Sequence, residues 1–225
     1  MRQKMEQAVI VSGGNIDIDF ALDFLNGLRK KIAELYLIAA DRGMEFFIRT
    51  GIYPDLVVGD FDSLTEEGKR YLDEHPQLKV VRLRPEKDDT DTQSAAGYAA
   101  AIGVKRLTLL GATGTRLDHV LANLGLLLWG QASGIQVEIV DSNNYICLAE
   151  SGKILKKKEQ FGKYVSFFPY GGNVEELTLE GFKYPLRAHC LKPEESGLTV
   201  SNEIVEEEAK VSFRTGNLIM IMSRD

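Results

Sequence analysis

The stretch "VVGDFDS", residues 57–63, sets two carboxylates, Asp60 and Asp62, directly after an apolar run, with a glycine before them and a serine after. In an extended segment a spacing of two turns both side chains to one side. Their charges then repel unless a cation neutralises them. A hard divalent cation does this with oxygen ligands, and Mg2+ commonly enters on one or two carboxylates plus phosphate oxygens. The same residues also suit a plain turn, since Gly, Asp and Ser each favour one. Taken alone, the stretch leaves both readings open.

"KDDTDT", residues 87–92, adds Asp88, Asp89 and Asp91. Thr90 or Asp91 suits a helix N-cap, and Asp88 and Asp89 read as surface residues. Asp91 opens a segment, "SAAGYAAA", whose small side chains let a helix pack close to a sheet and carry Asp91 toward the same place. Lys87 beside it offers a charge for phosphate. "GATGTRLDH", residues 111–119, is the most informative stretch. Gly111 and Gly114 permit backbone N–H groups to turn toward an anion, and the helix that follows adds the positive end of its dipole. Arg116 supplies a planar fork for phosphate oxygens. Asp118 in isolation reads as the N-cap of a helix beginning at His119, and His119 as a structural hydrogen-bonder. The chain has no GxxxxGK[ST] run, which disfavours a P-loop kinase.

The elements that must position these residues are legible in the apolar pattern. AVIVSG, LYLIAAD, LVVGD, VVRL, LTLLG and VEIVD read as strands. IDFALDFLNGLRKK, MEFFIRTG, TEEGKRYLDEHP, TQSAAGYAAAIG and HVLANLGLLLWGQASG read as the helices between them. Near-continuous apolar strands separated by helices indicate an α/β domain, a mostly parallel, Rossmann-like sheet with helices on both faces. In such a sheet ligands bind beyond the carboxyl ends of the strands, where the acidic and glycine-rich stretches fall. HVLANLGLLLW is apolar nearly all round and is expected to be buried. After about residue 145, YICLAES, KILKKK, YVSFFPY, VEELTLEG, GLTVSNEIV, KVSFRTG and LIMIMS are strand-like with short turns, the pattern of a small all-β sandwich. The expected domains are 1–146 and 147–225.

The ordered series "AADRG", "PDLVVGDFDS", "KDDTDT" and "GATGTRLDHVLANL" resembles the thiamin pyrophosphokinase family, and "LEGFKYPL" followed by "GLTVSNE" is similar to that family's thiamin-binding segment. The resemblance covers about residue 10 to the C-terminus. It implies a homodimer that transfers the pyrophosphoryl group of ATP to the hydroxyl of thiamin and releases AMP, with the active site at the subunit interface. Carried over by position, Asp60, Asp62 and Asp91 hold Mg2+, and Asp62, Asp91, Arg116 and Asp118 carry the chemistry. Lys87, Asp41, Thr113, Gly114 and Thr115 contact the nucleotide; Tyr184, Ser201 and Asn202 line the thiamin pocket. Other readings of the same metal site are transfer of a pyrophosphoryl or nucleotidyl group to another small alcohol, and a non-catalytic nucleotide- or thiamin-binding module.

Composition sets the outer bounds. Apolar residues make up 44% and charged residues 27% of 225 residues, enough for a proper core. No apolar run approaches the ~18 residues of a membrane span, and AVIV is too short for a signal peptide, so a cytoplasmic protein is expected. A formal charge of -6 argues against a nucleic-acid surface. The 2 cysteines, Cys147 and Cys190, and the 3 scattered histidines have no zinc-site spacing.

Overall fold

The apolar runs of the first half become β1 (Gln7–Val11), β2 (Leu35–Ala40), β3 (Leu56–Gly59), β4 (Val80–Arg82), β5 (Arg106–Leu110) and β6 (Gln136–Val140). In a computed structural model that describes residues 5–84, 86, 88–114 and 116–225, the side chain of 196 excepted, these strands pair in parallel in the order β6-β5-β1-β2-β3-β4. β1 at the centre is buried along its whole length. This is why, after Gln7, its sequence is an unbroken apolar run rather than an alternation. The chain divides into two compact units, Met1–Ser142 and Asn143–Asp225.

The connections of the first unit are α1 (Ile18–Arg29), α2 (Met44–Thr50), α3 (Glu66–Glu74), α4 (Asp91–Ala101) and α5 (Leu117–Ser133). Their starts follow capping chemistry. Asp17 accepts from the Phe20 N–H at 3.0 Å, Thr65 from Gly68 at 3.1 Å and Thr90 from Gln93 at 3.2 Å. α4 lays Ala95, Ala96 and Ala99, each 0% exposed, against the sheet. Their small side chains permit the close approach that the sequence implies.

α5 departs from expectation. Its inner face buries Asn123, Leu126, Leu127 and Gly130, yet Leu117 and Leu121 are 73% and 62% exposed. The sheet covers only one side of this helix, so an all-round apolar sequence leaves a leucine strip uncovered within the chain.

The second unit contains β7 (Asn144–Leu148), β8 (Lys153–Lys156), β9 (Tyr164–Pro169), β10 (Val174–Glu180), β11 (Leu186–Leu191), β12 (Asn202–Glu203), β13 (Glu208–Ser212) and β14 (Leu218–Ser223). Antiparallel pairing arranges them as β12-β9-β14-β7 and β11-β10-β13-β8 around one core that includes Phe167, Leu177, Val211 and Met220. The sandwich expectation holds, with two local differences. β11 has no counterpart in the apolar pattern, because Arg187 and His189 interrupt it. The segment "GLTVSNEIV" is mostly not strand: residues Pro193–Thr199 form a 3-10 turn, and pairing begins only at Asn202. Among the described residues no helix is long and apolar enough to cross a membrane.

Candidate active site

β1 lies between β2 and β5, so the winding of the sheet reverses there, the position at which open α/β sheets place ligands. Here the loops that follow β1 and β5 are bonded to each other. The Gly14 N–H donates to the Gly111 carbonyl at 2.8 Å and the Asn15 N–H to the Thr113 carbonyl at 3.1 Å. A Cβ on Gly111, whose φ is +61°, would meet the Ser12 carbonyl oxygen at 2.5 Å. The glycine therefore serves close loop packing, a duty distinct from the anion turn expected for it. Gly114 lies against the Asn15 amide, and the Thr113 hydroxyl donates to Asp141 Oδ2 at 2.8 Å. The Asn123 side chain anchors α5 to this loop through the Ala112 carbonyl at 2.7 Å.

The acidic residues gather beside it, at the ends of β2 and β3. Asp41, Asp60 and Asp62 each offer a carboxylate oxygen, and these atoms all lie within 4.8 Å of one another. Asp41 and Asp60 are half-buried and Asp62 is exposed. The "GDFDS" stretch is the turn that its sequence suggested, and it also brings two carboxylates of the cluster together. The Asp62 N–H donates to Asp60 Oδ1 at 3.2 Å, which makes a side-chain turn, and Phe61 at φ +65° reverses the chain. Both carboxylates reach one place through that reversal rather than through the pleat of an extended strand.

The third member comes from β2. Ala40 ends the strand, Asp41 takes φ +48°, and the short 3-10 turn Asp41–Gly43 leads into α2. The Ser63 hydroxyl donates to Asp41 Oδ2, while Asp41 Oδ1 is buried with no hydrogen-bond partner among the described residues. Burial pushes the Asp41 carboxyl above its ordinary range, the Ser63 bond opposes this, and the charges of Asp91 and Asp60 add to the upward push. A buried carboxylate oxygen without a donor, facing other carboxylates, is costly unless a cation meets it. The donor set is all oxygen, which suits a hard divalent ion. These residues fit Mg2+ on both counts.

Asp91 falls outside that closest triplet but close enough for its charge to act on Asp41. Thr90 caps α4, so Asp91 is the first helical residue and its carboxylate is not the cap. α4 is held to β1 by a buried hydrogen bond between Ser12 Oγ and Thr92 Oγ1 at 2.9 Å. Thr92→Val therefore strands the Ser12 hydroxyl. We expect it to cost about 1–2 kcal/mol of stability and to raise the metal concentration needed for half-maximal activity, as read by thermal melts and Mg2+ titration.

Arg116 and Asp118 form an exposed, two-pronged pair: Nη2 to Oδ2 at 2.5 Å and Nε to Oδ1 at 3.2 Å. The hydrogen bond from Arg116 holds Asp118 below the usual carboxylate range and, reciprocally, Arg116 above its own. α5 begins at Leu117 with Arg116 at the N-cap position, so Asp118 is inside the first turn and is not the cap its local sequence suggested. Lys87 and Thr115 lie outside the described residues.

In the second unit Tyr184 and Asn202 come together, and Ser201 precedes Asn202 in the chain. Asn202, 2% exposed, accepts from the Tyr184 N–H at 3.0 Å and donates to the Tyr184 carbonyl at 2.8 Å. Its Oδ1 also takes the Glu203 N–H at 2.9 Å. The amide is thus spent on the backbone, and what it presents is the Tyr184 ring, 55% exposed. Lys183 Nζ stands 5.6 Å from the centroid of that ring and is paired with Glu203 at 2.8 Å. Ser201, at φ +54°, gives its N–H to the buried Ser166 hydroxyl at 2.9 Å.

Sequence reasoning missed the supporting residues Ser12, Thr92, Ser63, Asn123 and Ser166. Of these Ser63, Thr92 and Asn123 lay inside the stretches "GDFDS", "KDDTDT" and "GATGTRLDHVLANL" without being singled out, and Ser12 and Ser166 carried no signal.

The comparisons with known proteins fall on the same two units. Residues 30–139 match the family "Thiamin pyrophosphokinase, catalytic domain", and residues 152–218 match "Thiamin pyrophosphokinase, vitamin B1 binding domain". A thiamine pyrophosphokinase of Bacillus subtilis (strain 168) is 37% identical over 189 residues, covering 84% of this chain and 87% of that protein. A crystal structure of thiamine pyrophosphokinase from Bacillus subtilis superposes with a TM-score of 0.85 at 34% identity, covering 98% of this chain and 100% of that one. A thiamin pyrophosphokinase from Geobacillus thermodenitrificans gives 0.81 at 33% identity, covering 97% and 98%. With both domain families matched in order and a relative of this identity along most of its length, the chain belongs to the thiamin pyrophosphokinase family.

Proposed function

We propose that this protein transfers the pyrophosphoryl group of ATP to the hydroxyl of thiamin, with Mg2+ as the required cation, giving thiamin diphosphate and AMP. The observation that carries the metal part of the reading is the convergence of Asp41, Asp60 and Asp62, with a buried, unpartnered oxygen on Asp41. Asp60 and Asp62 are the assigned ligands, with Asp41 joining them on geometry. Asp91 is kept as an assigned ligand from its motif and its charge on Asp41. When bound, Mg2+ supplies neutralising charge to the phosphate oxygens.

The reaction joins the thiamin hydroxyl oxygen to the β-phosphorus, breaks the bond from that phosphorus to the α,β-bridging oxygen, and releases AMP with the bonding electrons. The hydroxyl loses its proton. Positioning and electrostatics are the chain's main contributions in such transfers. Arg116 is assigned to the transferring group, with its fork exchanging Asp118 for phosphate oxygens, and Asp118 to the hydroxyl it then faces. Lys87, Thr113, Gly114 and Thr115 complete the proposed nucleotide contacts.

Recognition of thiamin is assigned to Tyr184, Ser201 and Asn202, within residues 147–225, and metal and nucleotide binding to residues 1–146. The Tyr184 ring suits a thiazolium cation, and the nearby Lys183 ammonium illustrates that attraction. Tyr184→Ala is expected to raise the KM for thiamin about five- to tenfold with kcat little changed; an unaltered KM removes the ring from the pocket. A cytoplasmic homodimer is part of the same reading, and the exposed Leu117 and Leu121 are consistent with a surface that a second copy covers. Turnover in a steady-state assay with thiamin and ATP should vanish with EDTA and return with Mg2+; activity that survives metal removal would end the metal assignment.

A further inference from the structure

Phe61 stands between the carboxylates of Asp60 and Asp62 in a backbone conformation, φ +65°, that bulky side chains rarely adopt. Its ring explains how it stays there. It is 5% exposed and packs over Gly59, where a Cβ would meet Phe61 Cε1 at 3.1 Å and the Asp41 Cα at 3.1 Å. The ring thus rests close to the backbone that carries the third carboxylate. Arg82 is the register partner of Gly59 in β4, and its Cζ lies 5.2 Å from the ring centroid. The Leu83 N–H donates to the Gly59 carbonyl at 2.9 Å, which fixes the level of the two strand ends.

We propose that Phe61 is a positioning residue for the cation site: its ring, packed over Gly59 on the side where the Asp41 backbone also approaches and covered by the Arg82 guanidinium, holds the reversal that brings Asp60 and Asp62 toward Asp41. The inference rests on the metal reading of the proposed function. It differs from a structural role in what it requires. A residue that only fills space affects melting, whereas this one sets the distances among cation ligands, and residues that orient ligands tune metal affinity about 10–100-fold.

The test is binding of Mn2+ alone, a paramagnetic substitute for Mg2+, followed by electron paramagnetic resonance on the purified protein. Asp60→Asn sets the baseline for a damaged site. Phe61→Gly relieves the backbone but removes the ring, Phe61→Leu keeps an apolar plug without the aromatic face, and Arg82→Met removes the cover. Expected are about tenfold or greater weakening for Phe61→Gly, partial recovery for Phe61→Leu and a smaller loss for Arg82→Met. Wild-type Mn2+ affinity in Phe61→Gly overturns the proposal, because a relaxed backbone without the ring would then suffice. If that variant does not fold, as judged by circular dichroism, Phe61→Leu decides: wild-type affinity overturns the proposal and weakened affinity with a native melt supports it. No Mn2+ binding by the wild-type protein would remove the metal reading itself, a failure distinct from normal wild-type binding that Phe61 variants leave untouched.

Discussion

Asp60→Asn should lower kcat about a thousandfold at saturating ATP and thiamin, a loss of several kcal/mol of transition-state stabilisation, while the protein melts at the same temperature or slightly higher. The two halves of this expectation come from one geometry. Asp60 Oδ1 accepts the Asp62 N–H, and an asparagine oxygen can accept it equally well, so the turn survives. What disappears is a negative charge within 4.8 Å of two other carboxylates. In the metal-free protein those charges repel, so removing one relieves the fold. On the proposed reading the same charge holds the cation during turnover, so its removal is expected to damage the reaction. Parallel measurements of kcat and melting temperature separate this from general destabilisation, in which both would fall together. Near-normal kcat at saturating Mg2+ would take Asp60 out of the site.

Gly43→Ala should act in the opposite way, through the fold first. Gly43 is the last residue of the 3-10 turn after β2, and it is buried with its Cα facing β1. A methyl group there would overlap the Val11 carbonyl oxygen and carbon. Val11 is 0% exposed and ends the central strand, so the backbone it belongs to has nowhere to retreat. Forced overpacking of this kind costs about 3 kcal/mol, which for a chain of this size lowers the melting temperature by roughly 6–12 °C. Because Asp41 begins the same turn, the molecules that remain folded should also bind Mg2+ more weakly. A variant with an unshifted melting curve would show that the turn can move away from β1.

The contrast between these variants shows which parts of the molecule were legible in the sequence. The parallel sheet was, because β1, β2 and β3 are apolar without alternation and α4 and α5 lie between strands, α4 with Thr90 as a readable cap. β11 was not. Arg187 and His189 point its pattern toward a loop, Ala188 adopts φ +46°, and the pairing with β10 is irregular in register. Such a strand exists because its neighbours accept it, which local sequence does not record. The exposed side of α5 was also hidden, since apolar periodicity reports what a helix can bury and not what the chain supplies to cover it.

For the site, Asp60 and Asp62 were readable because their neighbours carry the turn. The part Asp41 plays was less so. It depends on φ +48° at Asp41, on Ser63 reaching back from the next strand end, and on Gly43 allowing contact with β1. Each of those is a contact between residues distant in sequence. The same holds for Asn202. The resemblance implied a thiamin contact for it, and the hydrogen bonds that hold it to the backbone around Tyr184 carried no local signal.

The most direct test of the whole account is the fate of phosphorus in a single reaction mixture. With thiamin, Mg2+ and ATP labelled at the β-phosphorus, the account predicts label in thiamin diphosphate at the phosphorus joined to the thiamin hydroxyl, with AMP formed in equal amount. ADP with a thiamin monophosphate, or free pyrophosphate with a thiamin nucleotide, would contradict it.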